Sequence, residues 1–371
     1  MHIIHLILGK ARPERMNGVS KVAHQLALHQ AELGYEVSLW GITPSLEDMP
    51  PRAYGLRLFQ ARRNKLRLDP ELRAALRSLQ GQEAVVHLHG GFIPEFYLAA
   101  RLLRRVGVPY VFSPHGALSP FAFDRGGRKK RLYFRLFESE MIRHARGIHF
   151  LGQIQYDAAD RLMPMPHKVL IPNGQDQAEL LLGSDPAPRE AVPVFSYCGR
   201  LIIHYKGLDQ LLAGFIQYRK EGGQGLLWLI GDGPDRARLE AQAAKGGVSA
   251  YVRFWGSQYG EEKFRLLRSS DAFFHPSRSE GFPTGVLEAA GAGLPCVVTT
   301  ETNAASYLVA HQAGLHLPDI ATGTIARAMH EVDRRREDGS LARMGGEAAR
   351  MVREDFSWSH IAQRMIAELY A

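Results

Sequence analysis

Short apolar runs alternate with helical patterns along almost the whole chain, and Gly, Pro or polar residues bound most of these runs. In the first half the runs predict strands at residues 3–8, 36–40, 85–89, 110–113, 147–151 and 168–171. In the second half they predict strands at residues 194–197, 226–230, 252–255, 272–275 and 296–299. Strands that alternate with helices are typical of parallel sheets covered by helices on both faces. The pattern therefore predicts an α/β protein with two Rossmann-like domains that face a cleft.

A polar stretch between the two series of strands marks the predicted domain boundary. It follows Pro172-Asn173-Gly174 and contains Ser184-Asp185-Pro186-Ala187-Pro188, a composition typical of loops. We predict an N-terminal domain at residues 1–172, an interdomain linker at residues 173–193 and a C-terminal domain at residues 194–356. The length of 371 residues fits two domains, since one core rarely supports so long a chain.

Composition excludes several classes of protein. With 45% hydrophobic and 23% charged residues, the chain is an ordinary globular protein. No apolar run approaches the about 18 residues of a membrane span, and the first run lacks the charged start and cleavage site of a signal peptide. The two cysteines, Cys198 and Cys296, exclude a disulfide framework and favour a reducing compartment. We therefore predict a soluble cytoplasmic protein.

Metal-binding patterns are missing from the sequence. No Cys/His cluster has the spacing of a zinc site, and no Asp-x-Asp run suggests a metal-bound diphosphate. We therefore predict chemistry that needs no metal and no other cofactor.

Positive charge is concentrated in the first half of the chain. Residues 1–172 carry 25 Lys and Arg against 14 Asp and Glu, a net charge of +11, whereas residues 173–371 carry 21 against 24, a net charge of −3. The basic residues form three clusters: Arg57, Arg62, Arg63, Lys65 and Arg67; Arg101, Arg104 and Arg105; Arg125, Arg128, Lys129, Lys130, Arg131 and Arg135. Interleaved leucines make the first and third clusters amphipathic, which favours an anionic membrane surface as a partner. A solvated helix face explains any single cluster equally well, and no motif indicates nucleic acid.

Two glutamates, Glu280 and Glu288, lie eight residues apart where the predicted strand at residues 272–275 gives way to a loop and a helix near Thr284. Such junctions are where α/β proteins bind ligands. Gly281 lets the backbone approach a ligand closely. The helix N-terminus offers free N–H groups and about half a positive charge, which suits a phosphate. Carboxylates suit hydroxyl groups, as on a sugar or a ribose.

Several short motifs accompany this pair in a fixed order. They are Gly199-Arg200-Leu201, Lys206-Gly207, Gly231-Asp232-Gly233-Pro234, Phe254-Trp255-Gly256, Pro276-Ser277, Glu280-Gly281-Phe282 and Leu287-Glu288-Ala289. With these motifs the chain resembles the retaining glycosyltransferases of family 4, closely in its second half and more loosely in its first. The resemblance implies the GT-B fold, in which a last helix, here at residues 357–371, returns to pack on the N-terminal domain.

The resemblance also implies an activity. A retaining, metal-independent hexosyltransferase would move a hexosyl or N-acetylhexosaminyl group from a nucleotide diphosphate sugar to a glycan. His115-Gly116, followed by Lys129-Lys130-Arg131-Leu132-Tyr133, looks like the acceptor-side region of enzymes that build bacterial surface glycans. A lipid-linked glycan at the inner face of the cytoplasmic membrane would then be the acceptor, as in polysaccharide or lipopolysaccharide assembly.

Roles for individual residues follow from the same resemblance. Arg200 and Lys206 would stabilise the departing diphosphate, Glu280 would bind the donor sugar and Glu288 the ribose. His115 would contact the transferred sugar, although a lone histidine is more often structural. The remaining donor-binding residues would act through backbone groups or loops: Gly18 and Asn17 at the distal phosphate, Gly256, Ser257 and Gln258 around the base, and Gly281, Phe282, Pro283, Thr284 and Gly285 at the helix start.

Two other functions remain open from the sequence. A nucleotide-sugar epimerase of GT-B fold would use the same donor site without an acceptor. A degenerate transferase would act as a binding subunit, which the joint presence of Arg200, Lys206, Glu280 and Glu288 disfavours.

Overall fold

The structure is a computed structural model that describes residues 1–10, 18–47, 50–119, 123, 127–165, 167–183 and 190–371. The chain divides into two compact units. The first contains residues 1–173 and 358–371, and the second contains residues 174–357. Asn173 therefore ends the main part of the first unit, and the described residues that follow it in the predicted linker belong to the second.

The first unit is built on a parallel sheet whose described strands have the order β3-β2-β1-β4-β5-β6-β7. Its strands are β1 His2–Leu8, β2 Glu36–Thr43, β3 Gly55–Gln60, β4 Ala84–His89, β5 Tyr110–Ser113, β6 Gly147–Phe150 and β7 Lys168–Leu170. Its helices are α1 Gly18–Glu32, α2 Pro70–Ser78, α3 Pro94–Val106, α4 Gly127–Tyr133, α5 Ser139–Arg143 and α6 Gln153–Ala159, and a π-helical turn, Phe134–Glu138, joins α4 to α5. The inner strands are buried on both faces, as expected where helices cover both sides of a sheet, and buried histidines interrupt the apolar runs of β1, β4 and β6.

The second unit repeats this architecture with a parallel sheet of order β10-β9-β8-β11-β12-β13. Its strands are β8 Val194–Cys198, β9 Leu226–Ile230, β10 Val252–Gly256, β11 Ala272–His275, β12 Cys296–Thr299 and β13 Gly314–Leu317. Its helices are α7 Ile203–Lys206, α8 Leu208–Lys220, α9 Arg236–Lys245, α10 Gly260–Arg268, α11 Thr284–Gly291, α12 Ala305–Ala310, α13 Thr322–Glu337 and α14 Ser340–Asp355. Two parallel α/β sheets confirm the predicted fold class.

The last segment of the chain belongs to the first unit. Helix α15, Trp358–Met365, continues into a π-helical turn, Ile366–Tyr370, and packs against α1. Its apolar residues join the core on the α1 face of the sheet, where Trp358, Ile361 and Met365 are fully buried. This arrangement confirms the predicted return of the C-terminal helix to the N-terminal domain.

The first and third basic clusters have different secondary structure. Arg57 lies on the edge strand β3, with its guanidinium over the rings of Trp40 and Phe59, so the first cluster is not one amphipathic helix. The described residues of the third cluster lie on α4 and the following π-helical turn, where Leu132 and Leu136 are 59% and 53% exposed. Within the described part of the chain, no helix is both long enough and apolar enough to cross a membrane.

Candidate active site

Glu280 lies in the second unit, in the loop between β11 and α11, and polar groups from two chain segments contact its carboxylate. Oε1 is in an ion pair with the ammonium group of Lys206, the last residue of α7. The same oxygen accepts hydrogen bonds from His275 Nε2 at 3.0 Å and from Ser277 Oγ at 2.8 Å. The backbone N–H of Glu280 donates to the carbonyl of Glu301 at 3.1 Å. The carboxylate is therefore held in one orientation at the carboxyl end of the sheet.

The electrostatics of this cluster favour the ionised carboxylate. Burial alone would raise the pKa of Glu280, but the positive charge of Lys206 and the hydrogen bond from His275 outweigh burial and lower the pKa to about 2. Burial lowers the pKa of His275, which leaves its imidazole neutral with Nε2 as the donor to Glu280. At neutral pH the site thus contains one fixed negative and one fixed positive charge.

The position of Lys206 depends on close packing of the next residue. Gly207 has a left-handed backbone with φ of +65°, and a Cβ atom there would lie 2.0 Å from the carbonyl oxygen of Pro276. Arg278 fixes the same turn, because its guanidinium binds both carboxylate oxygens of Asp209 at 2.9 Å and donates to the carbonyl of Ile203 at 2.8 Å. The Lys-Gly pair is therefore needed to bring the ammonium group against the loop that carries Glu280.

Glu288 lies on α11 and is almost fully buried. Its Oε1 is 2.9 Å from the ammonium group of Lys263 on α10, and both side chains are largely shielded from solvent. The sequence analysis identified the glutamate but not the lysine. This ion pair fixes the carboxylate about one turn inside the helix.

The start of α11 lies next to the end of β8. Gly285 occupies the first turn, and a Cβ atom there would lie 3.0 Å from the carbonyl oxygen of Cys198. Pro283 precedes the helix without a side-chain cap, so the first N–H groups of α11 are available to a ligand. Thr284 begins the helix. The side chain of Phe282 stacks on Phe356 and is 4% exposed, so Phe282 can contribute to a ligand site only through its backbone.

Arg200 is the second residue after the end of β8, and Gly199 lies between them. Its side chain is exposed, and its guanidinium has no ion pair or hydrogen bond within the described ranges. Residue 231, directly after β9, has to be glycine because the chain passes close to Gly199 there. A Cβ atom at Gly231 would lie 2.0 Å from the carbonyl oxygen of Gly199. The motif Gly231-Asp232-Gly233-Pro234 therefore packs against the loop that carries Arg200.

The predicted base-binding residues lie after β10. Gly256 ends this strand in a left-handed conformation with φ of +70°, Ser257 is exposed, and Gln258 donates from its side chain to the carbonyl of Trp255 at 2.8 Å. Neighbouring Tyr259 is 71% exposed. These residues lie at the carboxyl end of the sheet, as do Arg200 and Glu280. Gly281 follows Glu280, and its carbonyl accepts a hydrogen bond from Asn303 at 2.9 Å.

The predicted residues of the N-terminal domain lie in the first unit. Gly18 is the first residue of α1 and is exposed, whereas Asn17 lies outside the described residues. His115 follows β5 with a left-handed backbone, φ of +47°, which is uncommon for a residue with a side chain. Its Nε2 lies 3.0 Å from Nδ1 of His89. Burial, together with a smaller effect of His149, lowers the pKa of His115 to about 3.

Three buried histidines near His115 lie close enough to one another for a metal-binding site to be considered. Ring nitrogens of His5, His87 and His89 lie within 4.8 Å of one another. However, all six of their ring nitrogens already have hydrogen bond partners in the protein. A metal would have to replace several of these bonds, so the cluster fits hydrogen-bonded neutral imidazoles better than a metal centre.

The sequence analysis missed the partners that orient the two glutamates. His275 and Ser277 lie within five residues of Glu280. The carbonyl oxygen of Tyr205, 3.0 Å from Ser277 Oγ, is a second acceptor for the single hydroxyl proton that Ser277 shares with Glu280. The motif Pro276-Ser277 was noted without a role for its hydroxyl. Lys263 lies on another helix, and no local spacing indicates its contact with Glu288.

Comparisons with known proteins identify the families of the two units. The family model of the glycosyl transferase 4-like domain matches residues 17–174, and that of the glycosyl transferases group 1 matches residues 184–351. EpsF of Bacillus subtilis (strain 168) is 26% identical in an alignment of 374 positions that covers 94% of this chain and 94% of EpsF. The lipopolysaccharide core biosynthesis glycosyltransferase LpsD of Rhizobium meliloti (strain 1021) is 31% identical over 146 residues, 39% of this chain and 41% of LpsD.

A solved structure shows the same fold. Anabaena HepE in complex with UDP has a TM-score of 0.75 with this protein, at 16% identity and with 99% of each chain covered. The GT-B fold predicted from the sequence motifs is thereby confirmed. With a glycosyl transferase 4-like domain followed by a domain of the glycosyl transferases group 1, each on its own parallel sheet, the chain belongs to the glycosyltransferases of GT-B fold.

Proposed function

We propose that this glycosyltransferase moves a hexosyl or N-acetylhexosaminyl group from a nucleotide diphosphate sugar to a lipid-linked glycan, with retention of anomeric configuration. The observation that carries the proposal is the cluster of Lys206, Glu280 and His275 at the carboxyl end of the second sheet. It combines a fixed cation for a leaving phosphate with a fixed carboxylate for a sugar. Solved structures of HepE hold UDP and UDP-glucose, which supports a nucleotide sugar as the donor here.

Arg200, Lys206 and the first N–H groups of α11 would bind the diphosphate. Departure of a nucleoside diphosphate places negative charge on its phosphate oxygens, and preorganised donors and cations stabilise that charge. The planar guanidinium of Arg200 can bind two phosphate oxygens at once, whereas Lys206 supplies a point charge. We propose that these groups take the place of a metal ion. Gly18, at the start of α1, would offer its backbone N–H to the distal phosphate.

Glu280 would orient the donor sugar and stabilise positive charge at its anomeric carbon. The bond from that carbon to the phosphate oxygen breaks first, giving an oxocarbenium-like sugar. The acceptor hydroxyl then attacks from the same face, and its proton passes to an oxygen of the departing diphosphate. Same-face attack retains the configuration without a covalent sugar–enzyme intermediate. Glu288, held by Lys263, would accept hydrogen bonds from the ribose hydroxyls.

The acceptor class is proposed from the basic first unit and from the relatives. LpsD is a glycosyltransferase of lipopolysaccharide core biosynthesis, which supports a role in surface-glycan assembly. On α4 and the turn after it, exposed Leu132 and Leu136 lie among exposed Arg128, Arg131 and Arg135. Such a surface suits an anionic membrane, with about 1 kcal/mol for each basic residue near the lipid. We propose peripheral attachment to the cytoplasmic face of the membrane.

Vesicle co-sedimentation tests this attachment. The wild-type protein should bind vesicles that contain phosphatidylglycerol and should bind neutral phosphatidylcholine vesicles weakly. Replacing Leu132 and Leu136 together with aspartate should reduce binding at least about 10-fold, because apolar contact is lost and negative charge is added. The matched control is Leu181→Asp, which changes a 77% exposed leucine of the second unit. Equal binding by the double variant and the control would reject this surface.

A thermal-shift screen tests the donor site. UDP, GDP, dTDP and CMP and their common sugar conjugates are added to purified protein, alongside a Glu288→Ala variant. A ligand at 100 times its Kd should stabilise the protein by about 2.7 kcal/mol. We expect one nucleoside diphosphate to raise the Tm selectively. The Glu288→Ala variant should bind this nucleotide with a Kd at least about 10-fold higher and show a smaller Tm shift, because it lacks a charged hydrogen bond partner. Glu347→Ala, at a partly exposed position of α14, is the control.

Two outcomes would redirect the assignment. If a nucleotide sugar binds and is isomerised without an acceptor, the protein is an epimerase of the same fold. If none of the nucleotides shifts the Tm of a folded sample, a transferase that acts only as a binding subunit becomes the better explanation.

A further inference from the structure

Behind His115, histidines of β1, β4 and β6 form one buried hydrogen-bonded cluster in the first unit. We propose that hydrogen bonds through this cluster hold His115 in the neutral form with its proton on Nε2, so that the bare Nδ1 accepts a hydrogen bond from a sugar hydroxyl. The sugar hydroxyl rests on the proposed function, whereas the state of the ring does not. The proposal makes His89, His5 and Gln30 positioning residues for His115.

All rings of the cluster are neutral near neutral pH because burial disfavours the charged imidazolium. Burial lowers the pKa of His5 and of His149 to about 4. Burial and the neighbouring imidazoles hold the pKa of His87 and of His89 well below the usual value. Each ring therefore carries one proton and offers one donor and one acceptor. The positions of these protons follow from the groups at the ends of the hydrogen bond chain.

The carbonyl of Ile171 sets the direction of one branch, because a carbonyl can only accept. His149 Nε2 donates to it at 2.7 Å, so His149 Nδ1 accepts from the hydroxyl of Ser113 at 2.6 Å. Ser113 has then used its only proton, and its oxygen accepts from His87 Nε2 at 2.5 Å. His87 Nδ1 therefore accepts from the hydroxyl of Tyr370 at 2.5 Å. The oxygen of Tyr370 is left only as an acceptor.

The side-chain amide of Gln30 ends the second branch. Its oxygen faces His5 Nε2 at 2.8 Å, and its nitrogen makes no full hydrogen bond within the described chain. Of the two polar atoms of an amide, only the oxygen can accept a hydrogen bond.

The second branch now has a single direction. An amide oxygen can only accept, so His5 Nε2 donates to Gln30, and His5 Nδ1 accepts from His89 Nε2 at 2.8 Å. His89 Nδ1 accepts from His115 Nε2 at 3.0 Å. His115 is thus left with a proton on Nε2 and a lone pair on Nδ1. Among the described residues nothing binds that lone pair, and the side chain of His115 is partly exposed.

The backbone at His115 supports a functional reading of this arrangement. A left-handed φ of +47° at a histidine costs energy and persists where the surroundings fix it. The turn is closed by a hydrogen bond from the N–H of Ala117 to the carbonyl of Pro114 at 3.0 Å. Backbone and imidazole are therefore both fixed, and a fixed acceptor selects a hydroxyl donor with a defined direction.

Histidine-ring NMR tests the proton positions directly in the full-length protein without any ligand. With 15N-labelled histidine, long-range spectra distinguish protonated from bare ring nitrogens, and a His115→Asn variant identifies the signals of that ring. We expect His5, His89 and His115 all to carry their proton on Nε2. A proton on Nδ1 of His5 or His89 would overturn the proposal, because the chain would then run in the opposite direction. A stoichiometric metal ion in purified protein would overturn it as well.

Variants of His89 separate positioning from folding. Asparagine can place its amide oxygen near the position of the imidazole Nδ1, whereas leucine of similar size offers no acceptor. With the nucleotide sugar selected by the thermal-shift screen, His89→Leu should lower kcat about 10-fold, the scale for a misplaced catalytic group. His89→Asn should restore most of that loss and keep the proton of His115 on Nε2. The KM for the donor and the Tm shift induced by the selected nucleotide should change little in either variant.

The possible failures are distinguishable. Equal kcat losses in the asparagine and leucine variants would reject His89 as a positioning residue even if the selected nucleotide binds normally. Failure of every nucleotide to bind would reject the proposed function, whereas the ring spectra would still decide the state of His115. In Gln30→Met, which lacks the amide acceptor, we expect His115 to show a mixture of the two neutral forms. An unchanged spectrum would contradict the role of Gln30.

Discussion

Replacing Lys206 with alanine is expected to lower kcat for glycosyl transfer at least about 100-fold, the scale for losing one group that stabilises developing charge. The ammonium group is fixed against Glu280, in the loop after β11, where the leaving diphosphate would gain negative charge. Its effect should be larger on kcat than on KM, because the charge on the phosphate grows as the glycosidic bond breaks. Steady-state kinetics with the selected nucleotide sugar measures both constants.

The control for this variant is Lys220→Ala, which removes an exposed lysine from the last turn of α8. Its kcat should equal that of the wild type. The Lys206→Ala protein should remain folded, since Glu280 keeps its hydrogen bonds from His275 and Ser277. A folded Lys206→Ala enzyme with near-normal kcat would refute the role assigned to the ammonium group.

Glu280→Gln is expected to lower kcat by a similar factor, about 100-fold or more, through loss of one charge with little change in shape. The amide oxygen can still accept from His275 and Ser277, so the loop should keep its conformation. Only the negative charge that would stabilise the oxocarbenium-like sugar is removed. The matched control is Glu301→Gln: its backbone carbonyl binds the N–H of Glu280, but its side chain is exposed. Comparable activity of the two variants would exclude Glu280 from the reaction.

The wild type and the Glu280→Gln variant also test how the stability of the protein depends on pH. The pKa of Glu280 is lowered in the folded state to about 2, from an ordinary value of 4.5. A carboxyl with a lower pKa in the folded state stabilises the protein above its unfolded pKa, and this contribution is lost as the pH falls through the folded pKa. The difference in free energy of unfolding between wild type and Glu280→Gln should therefore shrink as the pH falls from about 5 to about 2. Urea unfolding at several pH values measures this difference, and a constant difference would contradict the lowered pKa.

The strands that the sequence did not predict lie at the edges of the two sheets. Strand β3, Gly55–Gln60, is partly exposed and contains Arg57, and β13, Gly314–Leu317, is also partly exposed. An edge strand pairs on one side only and does not have to be apolar on both faces, so it gives no continuous apolar run. The central strands of both sheets are buried on both faces, and their apolar runs were sufficient to predict the fold class.

Prediction of the candidate site was limited in another way. The motifs around Lys206 and Glu280 could be identified in the sequence because the backbone next to them requires glycine or proline. An example is Gly207, which packs against the carbonyl oxygen of Pro276. The ion pair of Glu288 with Lys263 was not visible, because the two residues lie on different helices. Sequence spacing gives the direction of a side chain only within one element. Contacts between elements depend on packing that no local pattern encodes.

The first unit is assembled from two stretches of chain that are separated by the entire second unit. His87 and Tyr370, which share a hydrogen bond, are 283 residues apart in sequence. During synthesis on the ribosome, residues 1–173 emerge first and expose the apolar groove that α15 later covers, while the second unit is still being made. Because contacts of such high sequence separation form late, we expect the first unit to complete its folding last, after the second unit has folded.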